Sequence, residues 1–279
     1  WISTANVVLY CGAKPVFVDV STDTYNIEPD QIANKITTKT KVIIPVHLFG
    51  LCADIDAIKS LIPENIKILE DAACAAGAKY KDRYAGTLGD AASFSFHPRK
   101  SITTGEGGMV TTQNSFYFKL IDQMRNHGAT ISEEQRHSGP KPHNLPDFNL
   151  LGFNYRMTDL QGSVGLVQLD KLNSFIKERS KWAEWYNNQL SDLEWLRLPK
   201  EPENGRHGWQ SFVTYVEPKL SPMPRNKIME KLQKIGISTR PGTHAIHMLS
   251  LYKNRLGIKP NDFPGAKSCD ENTMAIPLH

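Results

Sequence analysis

The order of its apolar runs constrains this chain more than any other feature. Short β-branched runs bounded by turn residues alternate with stretches of helical periodicity through most of the first half. PVFVDV (15–20), KVIIPVHLFG (41–50), IKILEDAA (66–73), ASFSF (92–96) and GGMVTT (107–112) read as strands. DQIANKI (30–36), DIDAIKSLI (54–62, with Asp54 as a cap) and FYFKLIDQMRNHG (116–128, stopped by Gly128) read as helices. Such alternation predicts an α/β domain with a mostly parallel sheet. Ligands of such sheets sit outside the carboxyl ends of the strands, where Asp71 and the segment Ser95–Lys100 fall.

Further along, residues 129–153 are polar and rich in Gly, Pro and His, which predicts a long loop or insertion. The pattern from Thr158 to Leu190 is helical and is expected to break into two helices near Lys171–Asn173. GWQSFVTYVE (208–217) reads as a strand, RNKIMEKLQKIGI (225–237) as a helix ended by Gly236, and STRPG (238–242) as a turn. The expected organisation is a large domain over 1–185 and a smaller C-terminal α+β domain over 186–279.

Composition narrows the function. The net charge of +4 is scattered over the chain and forms no basic patch, which argues against nucleic acid. No apolar run approaches ~18 residues, so no membrane span is expected. No signal peptide is visible. The four cysteines, Cys11, Cys52, Cys74 and Cys269, form no CxxC pair, consistent with a reduced, cytoplasmic protein. No metal site is expected. The chain opens at Trp1 without Met and runs straight into STANVVLYCGA, and it stops at IPLH without a capping signal. Both ends read as cuts through a longer protein.

The chemistry concentrates in SFSFHPRKSITTGEGG, from Ser93 to Gly108. Lys100 follows an apolar strand. Ser95 precedes it by five residues, and Thr103, Thr104 and GEGG come after it. Hydroxyls and free backbone N–H groups suit an anion such as phosphate, and an amine suits a Schiff base with an aldehyde. Phosphate and aldehyde in one molecule describe pyridoxal phosphate. Taken alone, the glycines mark a tight turn and the lysine a solvated surface residue. Asp71 supplies the second part, at the rim of the same sheet. Its carboxylate suits the pyridine nitrogen, holding it protonated so that the ring accepts electrons. A helix cap is the alternative. Glu70 points to the opposite side of the strand.

EDAACAAGA, GTLGDAASFSFHPRKSITTGEGGMVTT and FNYRMTDLQGSVGLVQLDKL, in that order, closely resemble the DegT/DnrJ/EryC1/StrS aminotransferases. The resemblance runs from Trp1 to His279, and its SFSFHPRK–TTGEGG block is highly specific. It implies a fold-type I pyridoxal-phosphate enzyme that moves an amino group, usually from glutamate, to a keto-sugar, most often one attached to a nucleotide. Lys100 matches the lysine that carries the cofactor and Asp71 the acid at the pyridine nitrogen. Ser95 matches the phosphate-binding serine, Trp1 the aromatic stacked on the ring and Ala73 the small residue on its other face. Asn154, in FNYRM, matches an asparagine that reaches the phosphate of the neighbouring subunit, which implies a homodimer with shared active sites. His47, Arg240, His244 and His247 are candidate substrate contacts, with a structural role open for His47. Arg240 suits a phosphate or a donor carboxylate.

Three departures stand out, one of them a 129–153 loop longer than is usual in the family. Cys74 occupies a position where the family usually has His or Gln near the cofactor's ring hydroxyl, and Cys is a weaker donor. The family's Gly-Thr/Ser-Ala phosphate turn is expected upstream of Trp1. Alternatives are amination of a cyclitol, a sugar dehydratase (whose known examples carry His in place of the lysine), or a non-catalytic fragment that keeps the fold.

Overall fold

The computed structural model describes residues 1–278 apart from 133–134, 136–137, 140–142 and 144. The β-branched and apolar runs of the first half build a four-stranded sheet. Its strands are β1 (Val42–Ile43), β2 (Lys67–Asp71), β5 (Ala91–Ser95) and β6 (Gly108–Thr111), in the spatial order β1-β2-β5-β6. β1, β2 and β5 are parallel and β6 closes the edge antiparallel to β5, so the sheet is mostly parallel, as expected. One face packs on a core of Ile32, Ala53, Ile55, Ile58, Ile68 and Leu88. The helix Ile55–Leu61 starts where Asp54 accepts a hydrogen bond from the Ala57 amide.

Three expected elements take other forms. PVFVDV forms no strand, its one ladder contact being the bridge Val20–Ile27. It serves instead as a strap. Asp19 accepts from the amides of Gly265 (2.8 Å) and Ala266 (2.7 Å) at the start of the helix Pro264–Asn272. Phe17 sets its ring edgewise against Tyr252 and Phe263. DQIANKI makes two 3-10 turns rather than a helix. KVIIPVHLFG runs parallel to β2 as far as the Val46–Asp71 bridge, its regular ladder interrupted at Pro45, which has no N–H to give, and then turns at Phe49 (φ 59°) and Gly50 (φ 101°).

The segment expected to break near Lys171–Asn173 is one continuous helix, Asp159–Gln189. No proline interrupts it, and Leu172 and Ile176 lean on Gly77, whose positive φ and lack of Cβ make room for them. Thr158 and Gln161 form a reciprocal capping box at its start. The boundary expected at 185–186 falls inside the last turn of this helix. Part of the 129–153 loop lies outside the described residues; Ala129 and Phe148 are bridged across it.

The C-terminal part forms an antiparallel sheet in the order β10 (Arg240–Pro241), β11 (Thr273–Ile276), β9 (Phe212–Val216), β7 (Leu196–Arg197). β9 is buried along its whole length. The chain also returns to the first half, where β8 (Gly205–Arg206) joins β3 (Lys79–Tyr80) and β4 (Arg83–Tyr84). Among the described residues no helix is long and apolar enough to cross a membrane.

Beside β8, His207 is buried against Trp209, ring centroids 3.9 Å apart, and its Nδ1 accepts from the Trp209 amide at 2.9 Å. Burial pushes its pKa down from 6.5 to about 3. The unfolded chain therefore binds a proton that the folded chain refuses. The stability His207 contributes is complete above pH 6.5 and is lost as pH falls from there toward 3. Urea titrations should show a slope of up to about 1.4 kcal/mol per pH unit in that window, and His207→Gln should flatten it.

Candidate active site

β2 and β5 run parallel with Asp71 opposite Ser93, so Asp71, Ser93 and Ser95 share one face at the carboxyl end of the sheet. The opposite face carries Ile68, Glu70 and Ala92, all buried. After β5 the chain loops out and returns. The Phe96 amide donates to Gly107 O (2.8 Å) and the Thr104 amide to Phe96 O (3.0 Å). Thr103 Oγ1 donates to the same Phe96 carbonyl at 2.8 Å. Gly105 and Gly107 adopt φ of 82° and 151°, which the fold-back requires. This closed turn holds Lys100 over the end of β2, where its Nζ donates to Cys74 Sγ at 3.3 Å. Asp71 Oδ1 accepts from the Ala73 amide at 3.1 Å, and Oδ2 accepts from Thr4 Oγ1 at 2.5 Å. Lys100, Asp71, Ser95, Ala73 and Cys74 are all half-buried.

Five expected residues therefore meet at one sheet end. Trp1 is 70% exposed, and its ring lies edgewise to His244, centroids 6.3 Å apart. Arg240 lies exposed on the outer strand β10. Asn154 is exposed and bridged to Asn126.

Two candidate substrate contacts are placed in the core, His47 in the structural role left open for it. His47 is fully buried; its Nε2 donates to Glu70 Oε2 (2.9 Å) and its Nδ1 accepts from the Ala53 amide (3.0 Å). Both nitrogens are used in the core behind β2. His247 is also buried, with Nε2 on Pro260 O at 3.0 Å and its ring against Phe263.

Several supporting residues were not foreseen. Glu70 accepts from the amides of Gly86, Leu88 and Gly89, each at 2.7 Å, besides His47. Burial pushes its carboxyl up, but the hydrogen bonds from His47, Gly86 and Gly89 outweigh this and leave the pKa below the ordinary 4.5. An acid at an inward strand position demands such partners, and that signal was readable. Thr4 had no signal, being 67 residues from Asp71 in sequence. The lysine turn is braced by Gln210, whose Nε2 donates to Arg99 O at 3.1 Å. Gln168 and Gln161 of the long helix also brace it, through the Thr103 amide and Glu106 O.

The set suits pyridoxal phosphate by its chemistry. It combines an amine, a carboxylate with both oxygens oriented, a hydroxyl on the same face, and a small residue, Ala73, between them. Known proteins point the same way. A curated relative, GDP-perosamine synthase of Caulobacter vibrioides, is 35% identical over all of this chain and 72% of its own length. The spore coat polysaccharide biosynthesis protein SpsC of Bacillus subtilis is 33% identical over 99% of this chain and 72% of its own. Among solved structures, the sugar aminotransferase Spr1654 of Streptococcus pneumoniae, in a pyridoxamine-phosphate form, superposes on the whole chain with a TM-score of 0.91 at 30% identity, covering 74% of that protein. The expected fold-type I architecture is thus present. With the family model matched over residues 1–279, the chain belongs to the DegT/DnrJ/EryC1/StrS aminotransferase family.

Proposed function

We propose that this aminotransferase uses pyridoxal phosphate to move an amino group from glutamate to a keto-sugar linked to a nucleotide. The observation that carries the reading is the convergence of the Lys100 amine and the Asp71 carboxylate on the Ala73–Cys74 turn at one sheet end. When bound, pyridoxal phosphate supplies an electron sink for the carbon that gains or loses nitrogen. Lys100 would hold the cofactor, and its amine would move the proton at that carbon. Asp71 holds a proton at the ring nitrogen. The Ser95 hydroxyl donates to the phosphate. His244, beside Trp1, and Arg240 line the substrate side, Arg240 meeting a phosphate or a donor carboxylate. The intact Lys100 argues against a dehydratase. A cytoplasmic location agrees with four unpaired cysteines. The direct test offers a panel of nucleotide-linked keto-sugars with glutamate and reads products by mass spectrometry. Amination only of free cyclitols would displace the reading.

The enzyme works as a homodimer in which Asn154 reaches the partner's phosphate site. Its exposure and its place on the long segment entering the helix Asp159–Gln189 support this. Closed two-fold dimers are also the commonest oligomers. Mixed dimers of Lys100→Ala and Asn154→Ala chains should contain one intact and one doubly damaged site, and so regain part of the activity each parent lacks. No recovery in verified mixed dimers rules the shared site out.

A further inference from the structure

We infer that Thr4 is the positioning residue for Asp71, setting which carboxylate lone pair faces the cofactor ring. This rests on the reading of Asp71 given above. Thr4 lies in the helix Ser3–Tyr10, and its hydroxyl leaves its own helix to donate to Asp71 Oδ2 at 2.5 Å. A hydroxyl in the first turn of a helix ordinarily turns to nearby backbone. Here it spans 67 residues of sequence to one carboxylate oxygen, while the Ala73 amide takes the other at 3.1 Å. A carboxylate held by a single donor can still swing about its terminal torsion, which is broad. Held by two donors on different oxygens, it presents a fixed plane and a fixed free lone pair. The helix is itself anchored. Ala5 is buried, and Asn6 Oδ1 accepts from the Tyr252 hydroxyl at 2.7 Å, so Thr4 cannot drift with a fraying end. Among the described residues Thr4 hydrogen-bonds to neither Lys100 nor any candidate substrate contact, so its role runs through Asp71.

The test compares the Thr4→Val, Thr4→Ser and Asp71→Asn holoenzymes. Three readouts serve: pyridoxal phosphate affinity by absorbance titration, the pH dependence of the bound cofactor's visible band, and kcat and KM for glutamate. Thr4→Val keeps the shape and removes the donor. It should shift the pH profile of the band and lower kcat about tenfold, the worth of one hydrogen bond to a charged group, with KM nearly unchanged. Thr4→Ser, which restores the hydroxyl, should recover the parent's band and rate. A Thr4→Val enzyme with the parent's band, pH profile and rate, beside an impaired Asp71→Asn enzyme, overturns the inference and leaves the reading of Asp71 standing. A Thr4→Ser enzyme as impaired as Thr4→Val would show that the restored hydroxyl is not what sets the band and the rate, and also overturns it. An unimpaired Asp71→Asn enzyme overturns both.

Discussion

Lys100→Ala is expected to abolish the borohydride-reducible covalent link between chain and cofactor and to lower amino transfer by at least about 10²–10⁴-fold, the usual contribution of a positioned proton carrier. The argument is geometric. The turn that carries Lys100 is closed by the Phe96–Gly107 and Phe96–Thr104 hydrogen bonds and braced by Gln210 on Arg99 O. Its amine is thereby delivered to Cys74, beside Asp71 on the sheet end. None of those bonds involves the Lys100 side chain, so the alanine variant should fold normally, with an unchanged urea midpoint. Absorbance at saturating pyridoxal phosphate, followed by borohydride reduction and mass spectrometry, checks the assignment. A reducible link that persists in Lys100→Ala and is lost on replacing another lysine would move the role elsewhere.

Glu70→Gln should be the most destabilising single substitution near the site. The Glu70 carboxylate receives four donors and has no solvent exposure. An amide presents an N–H₂ where an acceptor is needed, so at least one oxygen's donors lose their partner. Unpaired buried groups cost about 1–3 kcal/mol each, and breaking a buried charged network about 3–5 kcal/mol. Against a total stability of about 5–15 kcal/mol this is a large fraction. The pH dependence has a definite sign. The folded pKa of Glu70 lies below the ordinary 4.5, so its contribution is present above pH 4.5 and is lost as pH falls through the folded value. Urea midpoints of the parent should therefore drop steeply below pH 4.5, and those of Glu70→Gln should drop less. Equal slopes would mean that Glu70 is not ionised in the folded protein.

How much of this was legible in the sequence depended on how local each feature is. The strands at 67–71, 91–95 and 108–111 and the cap at Asp54 follow from period, β-branching and side-chain chemistry within a few residues. The period of two also placed Asp71 and Glu70 on opposite faces of β2, and that alone separated the site from its buttress. Lys100, Ser95 and the glycine turn were readable because one closed loop of sixteen letters, SFSFHPRKSITTGEGG, contains both the groups and the backbone that aims them.

The misreadings fall where a distant partner overrode local preference. PVFVDV has strand-forming residues, yet a strand needs a ladder, and Asp19 and Phe17 are instead used by helices some 245 residues away in sequence, as the 246-residue separation of the Asp19–Gly265 bond shows. The long helix stays whole at Lys171–Asn173 because Gly77 leaves a hollow for Leu172 and Ile176, a contact that no window of local sequence contains. As isolated letters, His247 reads as a candidate substrate contact and His47 as either that or a structural histidine. Their ring nitrogens were claimed by Glu70, Ala53 and Pro260 only when the chain closed around them. The sequence by itself thus determined which polar groups gather at the carboxyl end of the sheet, since that is a property of short stretches. Tertiary structure alone decided which of the polar residues are spent inside the protein and which, like Asp71 under Thr4, are held ready at its surface, because a hydrogen bond has one geometry and any donor that folding brings within reach can fill it.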